Sequence, residues 1–122
     1  QINFMIKGGA NIIDIGGEST RPGSKVIKPE DEWKRIKNII KIFKKKYPNI
    51  LLSIDTRKSE IMEKSIKYNS DIINDVSSFD YDKDSFNKIK KKKYLESYTP
   101  YARNSSNNAI KSKISKCTIG YL

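Results

Sequence analysis

Residues 11–23, NIIDIGGESTRPG, join a short apolar run to a turn that is rich in glycine and polar side chains. The run, residues 11–16, lacks a regular alternation of apolar and polar residues, which is typical of a parallel strand buried on both faces. Residues 50–56 and 71–76 have the same character. These three runs predict three parallel strands.

A helical pattern fills the segment between the first two predicted strands. Pro29 suits a first helical turn, and three acidic residues follow it, where they complement the positive end of the helix dipole. Apolar residues then recur at helical spacing until Pro48 stops the run. The acidic residues are Glu30, Asp31 and Glu32, and the apolar ones are Trp33, Ile36, Ile40, Phe43 and Tyr47.

A second helix is predicted between the second and third strands. Thr56 is placed to cap its beginning, and Asn69 suits the left-handed conformation at its end. Its inward side chains would be Ile61, Met62 and Ile66. Strands and helices that alternate over short connections indicate an α/β fold of right-handed crossovers, either a doubly wound sheet or a barrel. Residues 1–10 read as the end of an earlier helix, so the chain is expected to begin within the fold.

Composition limits the chemistry of this chain. It has 122 residues, no histidine and a single cysteine, Cys117. An internal disulfide and catalysis or metal binding by histidine are therefore excluded within it. The mean hydropathy is −0.69 and the apolar runs are short, so neither a membrane span nor a secretory signal is predicted. We expect a cytoplasmic protein without a membrane partner.

The formal net charge of +11 raises the question of a nucleic-acid partner. Residues 81–122 carry ten Lys or Arg against three Asp or Glu, whereas residues 1–80 carry 15 against 11. A genome biased toward A and T would give the same lysine-rich balance. A basic nucleic-acid-binding fragment that uses the lysines of residues 88–93 is thus the less favoured alternative. A non-catalytic fragment that pairs its open sheet edge with another chain is a third interpretation.

Three polar motifs follow the predicted strands: DIGGESTRPG, SIDTRKSE and INDVSS. Each has a structural explanation by itself. Gly16 and Gly17 can adopt special backbone conformations, residues 55–56 can cap a helix, and residues 74–75 can form a turn. Together they place a guanidinium, hydroxyls, carboxylates and a carboxamide at the carboxyl ends of the strands, where α/β proteins bind ligands. The sequence therefore predicts a ligand site at this edge.

Over roughly residues 4–80, the ordered blocks GANIIDIGGESTRPG, LLSIDTRKSEI and DIINDVSS resemble dihydropteroate synthase, of the pterin-binding barrel group. The resemblance implies an α/β fold that is a partial TIM (β/α)8 barrel, with about three parallel strands and intervening helices. It divides the chain into a partial pterin-binding barrel domain, residues 1–80, and an irregular basic tail, residues 81–122, which begins with the end of a helix. A pterin-dependent methyl-transfer barrel is the alternative within the same group, and GGESTRPG disfavours it.

The resemblance also implies a reaction. The enzyme joins para-aminobenzoate to 6-hydroxymethyl-dihydropterin diphosphate, releases diphosphate with the help of Mg²⁺, and forms dihydropteroate in folate biosynthesis. Carried over by motif, Arg21 is the catalytic residue, and the substrate-binding residues are Thr20, Arg21, Pro22, Asp55 and Asn74. For Asp14, Glu18 and Asp75, a ligand contact and a structural role both stay open.

Part of the family's pattern has no match in this chain. A complete barrel of this kind has about 250 residues, and neither the family's Mg²⁺-binding asparagine nor the later residues of its pocket is found. We therefore expect the chain alone to be inactive and to hold no metal ligand, while the full-length family allows a homodimer. The possible codons of residues 99–109 can be read in a frame shifted by one base. In that frame they include codons for the motif His-Met-x-Gly-x-Pro, which the family carries after its next strand. The residues after about Lys93 are thus hypothesised to be a frameshift product, which the nucleotide sequence would reveal.

Overall fold

The computed structural model describes residues 1–19, 21–90 and 95–97 of the chain. Within this part, helices and strands alternate from the first helix to the last strand. The strands are β1 (Ile12–Gly16), β2 (Leu51–Asp55), β3 (Ile72–Asn74) and β4 (Leu95–Ser97). The helices are α1 (Ile2–Lys7), α2 (Pro29–Lys46), α3 (Ser59–Lys67) and α4 (Ser85–Lys90). None of these helices is long and apolar enough to cross a membrane.

The three predicted strands and the two helices between them are confirmed, with strand bounds that differ by one or two residues. α2 begins at Pro29, and Asn69 adopts a φ of 62° after α3, both as predicted. β4 was not predicted, because three residues that follow a run of lysines show no periodicity. The division of the chain at residue 80 stays a prediction. The frameshift hypothesis rests on residues 99–109, which lie outside the described residues.

The register of the sheet sets the geometry of its carboxyl edge. The four strands pair in chain order, each parallel to the next. Gly16 lies opposite Asp55, which in turn lies opposite Asn74. Side chains alternate between the two faces along each strand, and paired residues share a face. The last residues of β1, β2 and β3 therefore form one row on one face of the sheet.

The two faces of this sheet differ in chemistry. The face toward the helices is apolar, and its side chains join the core: Ile13, Ile15, Leu52, Ile54 and Ile73. α2 adds three residues that are each 1% exposed, namely Ile36, Ile40 and Phe43. Burial of each such side chain contributes about 2 kcal/mol. The opposite face carries Asp14, Ser53 and Asp55, all buried, so the polar groups are collected on one side.

The beginning of α3 corrects a prediction. Thr56 does not cap this helix, because the helix starts only at Ser59 and the N-cap residue is Lys58. The N–H of Ser59 instead donates to Oδ2 of Asp82 at 2.8 Å. The Thr56 hydroxyl donates to Oε1 of Glu32 at 2.6 Å. A carboxylate from the segment after β3 thus does the capping, which a local sequence pattern cannot show.

The glycines after β1 are also explained differently from the prediction. Among the described residues, the glycines with positive φ are Gly9 and Gly23, so Gly16 and Gly17 need no special backbone conformation. Gly17 is needed for close packing, because a Cβ at this position would lie 2.8 Å from both Cγ and the backbone oxygen of Glu32. At Gly16 the nearest atom would be 3.4 Å away. α2 therefore packs directly on the backbone of Gly17.

We expect Gly17→Ala to destabilise the fold by about 1–3 kcal/mol, because the new methyl group forces α2 away from the sheet. Gly16→Ala is the matched control, since its Cβ would meet its neighbours at an ordinary contact distance of 3.4 Å. Urea unfolding of the two variants and the parent chain measures the difference. An equal loss of stability in both variants would contradict the packing explanation.

Candidate functional site

Two of the predicted site residues lie side by side at the carboxyl edge of the sheet. Asp55 ends β2 and Asn74 ends β3, and the two are paired in register. Arg21 and Pro22 are exposed in the loop that leaves the same edge after β1. Thr20 lies outside the described residues. The structure thus brings Asp55 and Asn74 together and places the Arg21 loop at their edge, while their roles toward a ligand stay predictions.

Asp55 has an unusual ionisation. Its carboxyl is 6% exposed, and burial raises its pKa. The negative charges of Asp14, Glu32, Asp75 and Glu18 raise it further, so that the pKa reaches about 7 instead of 3.8. Both causes disfavour the ionised form. Near neutral pH, Asp55 is therefore present both as a carboxylic acid and as a carboxylate.

Asp14 is the neighbour that links β1 to this row. Nδ2 of Asn74 donates a hydrogen bond to Oδ2 of Asp14 at 3.0 Å. Asp14 is 9% exposed, and its Oδ1 is buried without a hydrogen-bond partner in the described part of the chain. The sequence had left open that Asn74 only helps to form a turn. Its side chain instead reaches Asp14 on β1, so the turn explanation does not hold for this residue.

Asp75, in contrast, has the structural role. Its Oδ1 accepts from the N–H and the hydroxyl of Ser77 at 2.8 and 2.7 Å, and its Oδ2 accepts from the N–H of Phe79 at 3.0 Å. Ser78 and Phe79 in this turn take φ values of 56° and 65°. The Asp75 side chain thus helps to hold a tight turn, together with the backbone bond from the Ser78 N–H to the Asp75 oxygen. We assign Asp75 to the scaffold of the site.

The loop after β1 is compact although it is exposed. The hydroxyl of Ser24 lies 2.5 Å from the backbone oxygen of Ser19 and 2.7 Å from that of Arg21. The N–H of Ser24 also donates to the oxygen of Arg21 at 3.0 Å, and Gly23 adopts a φ of 83°. The backbone on both sides of Pro22 is therefore fixed by local hydrogen bonds.

Four charged side chains form a network at the base of this loop, in which Arg57 is half-buried and the other three are buried: Glu18, Glu32, Arg57 and Lys58. The ammonium group of Lys58 lies 3.0 Å from Oε1 of Glu18 and 2.6 Å from Oε2 of Glu32. Nε of Arg57 donates to Oε2 of Glu18 at 2.9 Å. Lys58 is 5% exposed and Glu32 is 0% exposed. The network ties the loop after β1 to the loop after β2 and to α2.

Glu18 also closes the loop on itself. Its Oε1 accepts from the N–H of Ile27 at 3.0 Å, so the two ends of the loop are held together. Burial alone would raise the pKa of Glu18, but the Ile27 N–H, Lys58 and Arg57 outweigh it and hold the pKa below its usual range. Nη1 of Arg35 adds a bond to the oxygen of Gly17 at 3.0 Å. Both carboxylate oxygens of Glu18 are thus engaged by protein donors, which favours the structural role.

Sequence reasoning missed the other members of this network. Glu32 was assigned to the helix dipole, and Arg57 and Lys58 were quoted in a motif without a role. The sequence did contain a signal for these ion pairs, because Arg57 and Lys58 directly follow the end of β2, at the edge where Glu18 lies. Opposite charges that follow neighbouring parallel strands meet at that edge.

The lysine run is described only at its beginning. Nζ of Lys88 donates to the hydroxyl of Ser59 at 3.2 Å and lies 3.8 Å from Oε2 of Glu63. This lysine therefore takes part in the packing of α4 on α3. Residues 91–94 lie outside the described residues, so the nucleic-acid interpretation stays a prediction. Within the described ranges, no three His, Cys, Asp or Glu side chains are grouped so that they could hold a metal ion.

Comparison with known proteins identifies the relatives of this arrangement. The family described as pterin binding enzyme matches residues 1–95. A dihydropteroate synthase of Streptococcus pyogenes is 46% identical over 82 residues, which are 67% of this chain and 30% of that protein. The chain spans 12% to 32% of the length of the curated relatives it matches.

Solved structures give the same result. A dihydropteroate synthase of Clostridium difficile, determined in the presence of pteroic acid, superposes with a TM-score of 0.75 and 32% identity, over 91% of this chain and 43% of that one. The enzyme of Anaplasma phagocytophilum with bound 6-hydroxymethylpterin-monophosphate superposes with a TM-score of 0.71 and 32% identity, over 77% of this chain and 36% of that one. The predicted α/β fold, a partial TIM barrel, is confirmed by these relatives.

We expect Lys58→Met to destabilise the chain by about 3–5 kcal/mol, because it leaves two buried carboxylates without their shared cation. Lys67→Met is the control, since Lys67 pairs with Glu63 on the surface of α3 and exposed pairs contribute about 0–1 kcal/mol. Urea unfolding at pH 7 measures both. Comparable losses in the two variants would show that the network is not a buried one.

We expect Asp55→Asn to change the pH dependence of stability. A folded-state pKa raised from 3.8 to about 7 favours folding at low pH, and this contribution is lost as the pH rises through that window. The full effect is of the order of 4 kcal/mol. The variant should match the parent chain at pH 4 and be the more stable of the two at pH 8. Urea unfolding from pH 4 to 8 tests this, with the exposed Asp31→Asn as control. A constant difference across the range would contradict it.

Proposed function

Since this chain belongs to the pterin-binding enzyme family, we propose that it is a segment of a dihydropteroate synthase and contributes the pterin-binding edge of the barrel. The observation that carries this proposal is a buried carboxyl, Asp55, beside a carboxamide, Asn74, at paired strand ends. A pterin is a flat ring edged with amide-like donors and acceptors. Such a carboxyl and carboxamide recognise that edge by paired hydrogen bonds.

The proposed substrate is 6-hydroxymethyl-dihydropterin diphosphate, with para-aminobenzoate as the second substrate. The Anaplasma phagocytophilum relative, which binds 6-hydroxymethylpterin-monophosphate, supports a phosphorylated pterin as the class of ligand. The ionised form of Asp55 can accept hydrogen bonds from two adjacent N–H donors of the ring. Ligand binding should therefore favour the carboxylate over the acid at this position.

In the proposed reaction, the amine nitrogen of para-aminobenzoate forms a bond to the exocyclic methylene carbon of the pterin. The bond from that carbon to the diphosphate oxygen breaks, the diphosphate leaves with the bonding electrons, and the amine loses a proton to give dihydropteroate. Arg21 is the catalytic residue, because a guanidinium beside the diphosphate stabilises the charge that develops on the leaving group. Pro22 limits the path of the loop, and Thr20, outside the described residues, adds a hydroxyl donor.

The proposal for the whole enzyme includes Mg²⁺, a place in folate biosynthesis, a cytoplasmic location and a homodimer. The residues described for this chain do not form a metal site, because no three His, Cys, Asp or Glu side chains among them converge. No step is therefore assigned to a metal held by these residues. The chain covers 43% and 36% of the lengths of the two solved relatives. We therefore assign catalysis of the reaction to the whole barrel and pterin binding to this segment.

Calorimetry with 6-hydroxymethyl-dihydropterin diphosphate, with and without Mg²⁺, tests the proposal. The full chain should release or absorb heat on binding, and Asp55→Ala and Asn74→Ala should each weaken binding about tenfold, as expected for the loss of one hydrogen bond. Asp31→Ala, an exposed change on α2, is the control and should bind as the parent chain does.

Two outcomes would contradict the proposed function. If the parent chain gives no binding heat in either condition, this segment does not bind the substrate by itself. If the parent chain binds but the variants of Asp55 and Asn74 bind equally well, the ligand occupies another part of the molecule.

A further inference from the structure

We propose that Asp14 is a positioning residue of the pterin site: it orients the Asn74 carboxamide so that the amide oxygen, and not the amide nitrogen, is offered to the ligand. This inference rests on the proposed function. Asp14 lies on β1 and Asn74 on β3, with β2 between them, so the contact spans three strands. The two side chains project from the same face as Asp55.

The chemistry of the contact fixes the direction of the amide. An ionised carboxylate only accepts hydrogen bonds, whereas a carboxamide has one donor end and one acceptor end. Nδ2 of Asn74 lies 3.0 Å from Oδ2 of Asp14, the distance of a good hydrogen bond. If the amide were reversed, two acceptor oxygens would face each other. Asp14 therefore turns Oδ1 of Asn74 away from itself, and a ligand at this edge must bring a donor.

Asp14 is poorly suited to a purely structural role. Its Oδ1 is buried and has no hydrogen-bond partner in the described part of the chain. Such a buried, unsatisfied polar atom destabilises the fold, because its lost hydrogen bonds to water are not replaced. Asp75, which is structural, satisfies both of its oxygens within its own turn. A carboxylate at position 14 in spite of this cost is consistent with a role at the ligand site.

The charge of Asp14 acts on Asp55 as well. The charged groups that face Asp55 are Asp14 from β1, Glu18 from the loop after β1, Glu32 from α2 and Asp75 from the turn after β3, and all of them raise its pKa. Among these charges Asp14 has the largest effect. Loss of the Asp14 charge should thus ionise Asp55 at lower pH. One side chain then influences the hydrogen bonding of both ligand-facing groups.

Two variants of the full chain separate the two effects of Asp14. Asp14→Ala removes the acceptor for Asn74 and the charge, whereas Asp14→Asn removes the charge but keeps an oxygen that can accept from Nδ2. In the parent chain, NMR should show slow solvent exchange of the Asn74 Nδ2 protons and a titration midpoint of the Asp55 carboxyl near pH 7. Asp14→Ala should lose the slow exchange, Asp14→Asn should retain it, and both should lower the Asp55 midpoint. Asp31→Asn, an exposed change of equal charge, should alter neither.

The ligand measurement uses 6-hydroxymethylpterin, followed by its own fluorescence from pH 5 to 8. At pH 8, where Asp55 is mostly ionised in the parent chain and in both variants, Asp14→Ala should weaken binding about tenfold, as expected for the loss of one hydrogen bond, and Asp14→Asn should restore most of it. In both variants, the rise of affinity with pH should move to lower pH, because the charge that raises the pKa of Asp55 is lost; the recovery of affinity in Asp14→Asn is the result that a merely structural role would not produce.

The outcomes decide the inference and the proposed function separately. Unchanged amide exchange and an unchanged Asp55 midpoint in Asp14→Ala would overturn the inference, whether or not pterin binds. If the NMR results are as expected but the parent chain does not bind pterin, the positioning of Asn74 stands and the proposed function fails. If Asp14→Ala does not fold, fast exchange of the Asn74 amide in the parent chain or in Asp14→Asn would still overturn the inference.

Discussion

The common register of β1, β2 and β3 is the constraint on which the candidate site depends. A slip of one residue in β2 would turn Asp55 toward the helices and bring Ile54 to the polar face, because side chains alternate along a strand. The core opposes such a slip, since Ile54 is fully buried against the helices together with Leu52. Apolar burial on one face thus fixes the position of the polar groups on the other.

The network of Glu18, Glu32, Arg57 and Lys58 adds a second level of order. Burial of an ion costs several kcal/mol, which pairing offsets only when the geometry is good. The contacts of 2.6–3.0 Å around Lys58 meet this condition. Because these charges come from two loops and a helix, the network determines where the loops lie relative to each other. Its main contribution is therefore the placement of the loop that carries Arg21.

The fold could be predicted from the sequence where local patterns and packing agree. The dense apolar runs predicted β1, β2 and β3, and the periodic Ile36, Ile40 and Phe43 predicted α2. The capping of α3 by Asp82 and the close contact of Gly17 with Glu32 could not be predicted, because both partners are distant in sequence. β4 was missed for a different reason, since its three residues have no pattern of their own.

The candidate site was predictable to a similar degree. Asp55 and Asn74 stand at strand ends, and the parallel topology alone brings them together. The raised pKa of Asp55 depends first on its burial and then on neighbouring charges such as Asp14, and the direction of the Asn74 amide depends on Asp14. These relations appear only in three dimensions. A sequence shows which groups reach an edge, but their hydrogen-bonding state depends on neighbours from other strands.

The bond from the Ile27 N–H to Glu18 has a consequence for the evolution of this segment. It pins both ends of the loop of residues 19–26, and doubling the length of a closed loop costs only about 0.6 kcal/mol. Insertions and deletions between these ends would leave the sheet and α2 undisturbed. The fold therefore tolerates changes of length in this loop, whereas the paired strands that hold Asp55 and Asn74 admit none without a shift of register.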